Sequence, residues 1–431
     1  MILAERPGME PTPGKRPGPI RRFLSVLGPG LITGAADDDP SGVATYSIAG
    51  AQLGTALLWS ALVTWPLMAA VQMMCARIGM VTGRGLAGAL RRRFPKGVLA
   101  VACIALLIAN TINIAADLAG MADAARMLTG VRAGVFVVIF GVGIAWAVVR
   151  FRYHQIARIL KWLALALFAY VIAAFRVGPD WGEVLRSAVV PSLPKDRAGW
   201  ATLVAILGTT ISPYLFFWQA SQEVEEEKAM GLRALPQRKG ATPHEIADRA
   251  LDVGVGTGFS NLVMFFIILT TALTLNRHGL TNIETSRQVA EALRPFAGRF
   301  TEVLYTAGLV GVGLLAIPTL SGSAAYAFAE TFGWRQGLDQ RLRGARYFYG
   351  VVALSTVGGV VLDFVGFNPV RALYWSAIVN GLLAPFLMLG ILAVASNRRV
   401  MCGQPSSRLA LAAVGLATLL MFAAGVGMFV F

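Results

Sequence analysis

The residues able to do chemistry are concentrated in one apolar stretch, Gly28 to Gly50, whose middle reads Asp37-Asp38-Asp39-Pro40-Ser41-Gly42. A carboxylate near the centre of a bilayer costs at least ~2.5–3.5 kcal/mol. Three in a row, followed by Pro and Gly, do not belong in an uninterrupted helix, because Pro removes a backbone donor and Gly is conformationally loose. The stretch therefore reads as a helix that breaks inside the membrane and offers free carbonyls and carboxylates to a cation. The competing reading is a short helix running into a polar surface loop. A second stretch favours the break: Gly208-Thr209-Thr210-Ile211-Ser212-Pro213 packs one Gly, three hydroxyls and one Pro into another apolar segment. Carboxylates from one break and carbonyls and hydroxyls from the other are hard oxygen donors, suited to Mg²⁺, Mn²⁺ or Ca²⁺. Neither break carries a cationic side chain to hold an anionic substrate. An amino-acid carboxylate would have to rest on half-helix N-termini.

The elements that must position these breaks are membrane helices. The chain is 56% hydrophobic and 14% charged, with a mean hydropathy of +0.64, which fits a polytopic helical membrane protein. Eleven spans are predicted, at about residues 24–50 (broken), 54–80, 98–122, 133–150, 155–175, 199–221 (broken), 252–275, 301–330, 347–365, 370–394 and 409–430. Spans 1–5 (residues 23–180) and 6–10 (181–395) each open with an interrupted helix, the signature of an inverted repeat with a midplane site. Span 11 (396–431) lies outside the repeat. Residues 1–22, basic and rich in Pro and Gly, read as a disordered cytoplasmic tail. Basic loops explain the formal net charge of +15 without nucleic acid. Most of the 38 Lys and Arg fall on the N-terminal side of the membrane, so the N-terminus is expected in the cytoplasm and Phe431 outside. Cys75, Cys103 and Cys402 have no metal or redox spacing, and His154, His244 and His278 fall in loops or at span ends. Glu223, Glu225, Glu226 and Glu227 read as a solvated helix end opening the longest polar loop, residues 222–250. Asn110, Asn113 and Asn380 read as interhelical hydrogen-bonding amides. There is no nucleophile–base pair or nucleotide-binding loop, so no enzymatic activity is expected.

Taken together and in order, several short motifs resemble the Nramp divalent-metal transporters. They are Gly28-Pro29-Gly30, Asp39-Pro40, Val81-Thr82-Gly83 with Leu86, Ala116-Asp117-Leu118-Ala119, and Ile206-Leu207-Gly208 with Thr210 and Pro213. The resemblance covers most of the chain. It implies an all-α, LeuT-like fold of 11 transmembrane helices in a 5+5 inverted repeat with helices 1 and 6 broken. It also implies a metal site at Asp39, Gly42, Thr209 (through its carbonyl) and Ser212. Asp37, Asp38 and Tyr214 would shape the surrounding field, and Asp117 is the candidate proton or charge relay. The departures from the family pattern share a direction. Its Asn amide at the first break is Gly42 here, its Met at the second is Ser212, its His is Tyr214, and its Glu after the span 3 Asp is Gly120. Losing a thioether removes preference for softer ions, and a roomier all-oxygen site suits an ion that keeps some of its waters. The pattern is similar to the Nramp-related magnesium transporters.

The expected function is thus transport of Mg²⁺, and also Mn²⁺, by alternating access with weak or no proton coupling. The ion is cargo, and no resident cofactor is expected. The protein is expected to work as a monomer in the plasma membrane. A proton-coupled Mn²⁺/Fe²⁺ importer and a cation-coupled amino-acid symporter of the same fold are the alternatives.

Overall fold

The computed structural model describes residues 28–150, 165–338 and 340–431, and every regular element among them is helical. The proposed tail, His154 and residues 155–164 of the expected fifth span lie outside the described residues. The chain runs α1 (Pro29–Asp37), α2 (Pro40–Leu53), α3 (Trp59–Thr82), α4 (Leu86–Leu90), α5 (Lys96–Thr129), α6 (Ala133–Arg150), α7 (Phe168–Val177) and α8 (Trp181–Val189). It continues through α9 (Arg197–Thr210), α10 (Pro213–Ala229), α11 (Pro243–Thr274), α12 (Ser286–Glu291), α13 (Arg294–Ala297), α14 (Thr301–Phe332), α15 (Arg346–Asp363), α16 (Pro369–Ala395) and α17 (Arg408–Val430). Eight helical stretches among the described residues are long and apolar enough to cross a membrane. The other three expected spans escape that measure for separate reasons. The first is cut into halves of 9 and 14 residues, the fifth is described only from residue 165, and α15 is only 18 residues long with charged ends.

Helix starts follow local chemistry. Pro stands at the first turn of α1, α2, α10, α11 and α16, where its missing N–H and fixed φ cost nothing. Thr242 caps α11 by accepting from the Glu245 N–H, and Glu245 returns the bond to the Thr242 N–H, a reciprocal capping box.

The two broken helices are held in the core by backbone contact. A Cβ on Gly34 would lie 2.1 Å from the carbonyl oxygen of Gly256, so α1 lies directly on α11. A Cβ on Gly208 would lie 2.3 Å from the Gly381 nitrogen, so α9 lies directly on α16. Small residues at helix crossings in lipid permit this approach, and no larger residue fits at either place.

The stretch 222–250 is not a long polar loop. α10 extends to Ala229 and α11 begins at Pro243, because the intervening turn is clamped. Arg238 donates to the carbonyls of Leu232 and Arg233, and the Gly240 N–H donates to the Val81 carbonyl. The Gln404 side chain bonds both the N–H and the carbonyl of Ala241.

Candidate cation site at the two helix breaks

Both expected interruptions are present. α1 ends at Asp37, Asp38 turns out of helical geometry (φ −79°, ψ 47°), and Asp39 is extended (φ −64°, ψ 171°) before α2 begins at Pro40. α9 ends at Thr210, Ile211 (φ −113°, ψ 63°) and Ser212 (φ −79°, ψ 134°) leave the helix, and α10 begins at Pro213. The triple-acid run is buried, with Asp37, Asp38 and Asp39 no more than 1% exposed, so the surface-loop reading is excluded.

Asp39 sits where the break needs it. Its Oδ1 accepts from the Gly42 N–H at 2.7 Å and from the Ser41 hydroxyl at 2.6 Å, capping α2. Its Oδ2 accepts from Nδ2 of Asn113 on α5 at 3.1 Å. Gly42 leaves a small space. A Cβ there would stand 3.2 Å from Thr209 Oγ1, 3.3 Å from the Asp37 carbonyl oxygen and 3.5 Å from Asp39 Oδ1. Asp39, Gly42 and Thr209 therefore meet. Ser212 lies at the same break as Thr209, but its hydroxyl donates back to the carbonyls of Gly208 and Thr209, both at 2.7 Å. The hydroxyl serves the otherwise free carbonyls at the end of α9.

Tyr214 crosses from one break to the other. Its hydroxyl donates to the Ala36 carbonyl at 2.9 Å, one of the carbonyls left without an intrahelical partner at the end of α1. Tyr214→Phe leaves that carbonyl buried and unpaired, so it should lower stability by about 1–3 kcal/mol. A thermal denaturation midpoint equal to the parent's would show that Ala36 finds another partner.

Asp37 and Asp38 turn the other way. Both accept from the Ser260 hydroxyl on α11, at 2.6 and 3.1 Å, and one oxygen of each has no partner. Asp117 is buried on α5, one turn after Asn113. Neither of its oxygens reaches hydrogen-bond geometry with any group. Thr209 Oγ1 and Asn113 Oδ1 are likewise buried without a partner. No group of three or more His, Cys, Asp or Glu side chains among the described residues converges as a metal cage. A cation held here relies on one or two carboxylates plus carbonyl, hydroxyl, amide and water oxygens. Buried carboxylates also need positive charge nearby. Among the described residues no basic side chain pairs with Asp37, Asp38 or Asp39: the enclosed Arg238 bonds backbone carbonyls in the turn before α11, and Arg249 pairs with other acids.

Two features are not visible in the sequence. Asn113 is legible as an intramembrane amide, but not as a partner of Asp39, because its register on α5 is set by packing. Glu223 is not part of a solvated helix end: it is 2% exposed and paired with Arg249 at 2.8 Å. Arg249 also pairs with Glu226 and with Asp252. Asp252 in turn accepts from the N–H groups of Gly28 (2.8 Å), Gly30 (2.7 Å) and Leu31 (3.0 Å) at the start of α1. Thr33 donates to Gln219, which donates to Glu223. A buried ionic knot thus fastens the half-helix α1 to α10 and α11. The signal for it is the Glu cluster itself, whose partner Arg249 is more than 20 residues away in sequence.

A helical membrane protein with two half-helices meeting at a buried acidic centre belongs to the LeuT-like class of transporter folds. Structural likeness supports the same class. The manganese transporter of Eremococcus coleocola, solved in complex with an aromatic bis-isothiourea substituted compound, superposes with a TM-score of 0.75 at 17% identity, covering 95% of this chain and 87% of that one. The family model for natural resistance-associated macrophage protein-like (Nramp) sequences matches residues 30–431, and the chain belongs to that family. Among curated relatives, the divalent metal cation transporter MntH of Yersinia pestis (strain Pestoides F) is 29% identical over 317 residues, 70% of this chain and 73% of its own. MntH of Yersinia enterocolitica is 25% identical over 399 residues, 90% of each chain.

Proposed function

We propose that this protein carries divalent metal cations across the plasma membrane by alternating access, with Mg²⁺ as the principal cargo and Mn²⁺ also accepted. Proton coupling is weak or absent. The observation that carries the reading is Asp39: a buried carboxylate at the first helix break, among oxygen donors and without a basic partner among the described residues. The names of the relatives support divalent-metal cargo in general. The preference for Mg²⁺ rests on Ser212 and Gly42, which put a hydroxyl where the family pattern has a thioether and no side-chain ligand where it has an amide. Mg²⁺ keeps several of its waters and asks for few protein ligands. Asp39, Gly42, Thr209 and Ser212 are the proposed ion contacts, with Asp37 and Asp38 supplying negative field. The protein functions as a monomer, with its N-terminus in the cytoplasm. The knot around Arg249 then lies on the cytoplasmic side.

The test is the double variant Ser212→Met with Gly42→Asn, titrated by calorimetry with Mg²⁺, Mn²⁺ and Cd²⁺. A Cβ at Gly42 is accommodated once Thr209 Oγ1 and the Asp37 carbonyl give by a few tenths of an ångström. Restoring a soft ligand should shift the Mn²⁺/Mg²⁺ affinity ratio at least about tenfold toward Mn²⁺ and create Cd²⁺ binding. An unchanged ratio would remove Ser212 and Gly42 from the selectivity argument. The second reading is proton-coupled Mn²⁺/Fe²⁺ import, for which Asp117, buried on α5 with neither oxygen hydrogen-bonded, is the candidate proton relay.

A further inference from the structure

The amide missing at Gly42 has a counterpart elsewhere. Asn113, one turn before Asp117 on α5, is fully buried and directs its Nδ2 to Asp39 Oδ2 at 3.1 Å. Its carbonyl oxygen, Oδ1, is buried and bonds to nothing. A buried amide with one half engaged on the proposed ion-binding carboxylate and the other half idle costs free energy unless something uses that oxygen. The other intramembrane amides differ. Asn110, on the same helix, donates instead to the Leu320 carbonyl and to the Ser323 hydroxyl on α14, at 2.8 Å each. Asn380 is buried on α16 with neither side-chain atom hydrogen-bonded, so nothing fixes its amide toward Asp39 as Nδ2 fixes that of Asn113.

We infer that Asn113 is an ion ligand: its carbonyl oxygen, presented by span 3, binds the cation held by Asp39, directly or through one of the ion's waters. The inference rests on the divalent-cation reading of the site. A neutral amide oxygen is a hard donor, so the added contact keeps the site all-oxygen. The Nδ2–H bond to Asp39 fixes the amide's orientation in the way an outer partner orients a ligand. The arrangement transfers the amide from the break itself to a neighbouring continuous helix, leaving only backbone at Gly42.

A transposition experiment tests this. Full-length protein in detergent is titrated with Mg²⁺ and Mn²⁺ by calorimetry, with a thermal denaturation midpoint recorded for each variant. Asn113→Ala should weaken Mg²⁺ binding at least about tenfold. Gly42→Asn in the Asn113→Ala background, which returns an amide to the break, should recover most of that loss. Asn113→Leu, which matches the volume without an oxygen, should bind as weakly as Asn113→Ala and guards against a simple cavity effect. If Asn113→Ala folds and binds Mg²⁺ like the parent while Asp39→Ala does not bind, the ligand role of Asn113 is refuted and the divalent-cation reading stands. If Gly42→Asn fails to rescue a folded Asn113→Ala, Asn113 acts through packing and the inference falls. A parent protein that binds neither ion overturns both.

Discussion

Asp39→Ala should abolish metal binding and uptake, by on the order of 100-fold or more, while the helices remain folded. The carboxylate caps the second half of the first broken helix, and its oxygens meet the Gly42 N–H, the Ser41 hydroxyl and the Asn113 amide. Outer-shell partners of metal ligands already cost 10–100-fold when removed. Losing the charged ligand itself should exceed that. The structural cost is smaller: truncating an N-cap costs about 0.5–2 kcal/mol, and removing a buried charge without a basic partner offsets part of it. Asp39→Asn separates the two effects, since it keeps a capping oxygen and removes the charge. Calorimetric titration with Mg²⁺ and Mn²⁺ measures the binding, and the denaturation midpoint measures the fold. An Asp39→Asn protein that binds either ion with parental affinity would contradict the assignment.

Arg249→Ala should release the half-helix α1. Arg249 pairs with Glu223, Glu226 and Asp252, and Asp252 holds three backbone N–H groups at the start of α1. Removing the cation leaves the nearly buried Glu223 and Asp252 uncompensated. Breaking a buried ion pair from one side costs about 3–5 kcal/mol. The strain is relieved most readily by letting α1 swing away and the carboxylates meet water. Hydrogen–deuterium exchange over residues 28–37 should therefore accelerate by about two orders of magnitude or more, each 1.4 kcal/mol being a factor of ten. A peptide from the centre of α16 should hardly change. Parental protection of residues 28–37 would show that the glycine contact between α1 and α11, rather than the ionic knot, holds α1 in place.

Much of this is legible in the sequence because lipid makes strong demands on it. Backbone polar groups in a bilayer force helices, so apolar runs delimit spans, and the Asp-Pro and Ser-Pro pairs mark both interruptions to within a residue or two. Asp39 and Thr209 are readable for the same reason. What stays hidden depends on which face of a helix meets which neighbour. Asn113 and Asn110 are three residues apart on one helix, and only packing decides that the first reaches Asp39 while the second reaches α14. Glu223 cannot be told from a solvated acid by sequence, since its partner Arg249 comes from the next helix. Position alone makes Ser212 a ligand candidate. The structure adds that its hydroxyl also satisfies two carbonyls, a local role that any Ser before a Pro at a helix end could fill.

The most direct test is uptake by purified protein in liposomes carrying an internal ion indicator and an internal pH indicator. Alternating access at an all-oxygen site without proton coupling predicts Mg²⁺ and Mn²⁺ influx that depends on Asp39, with no acidification of the interior. Uptake of Mn²⁺ or Cd²⁺ accompanied by internal acidification, with Mg²⁺ left outside, would contradict it.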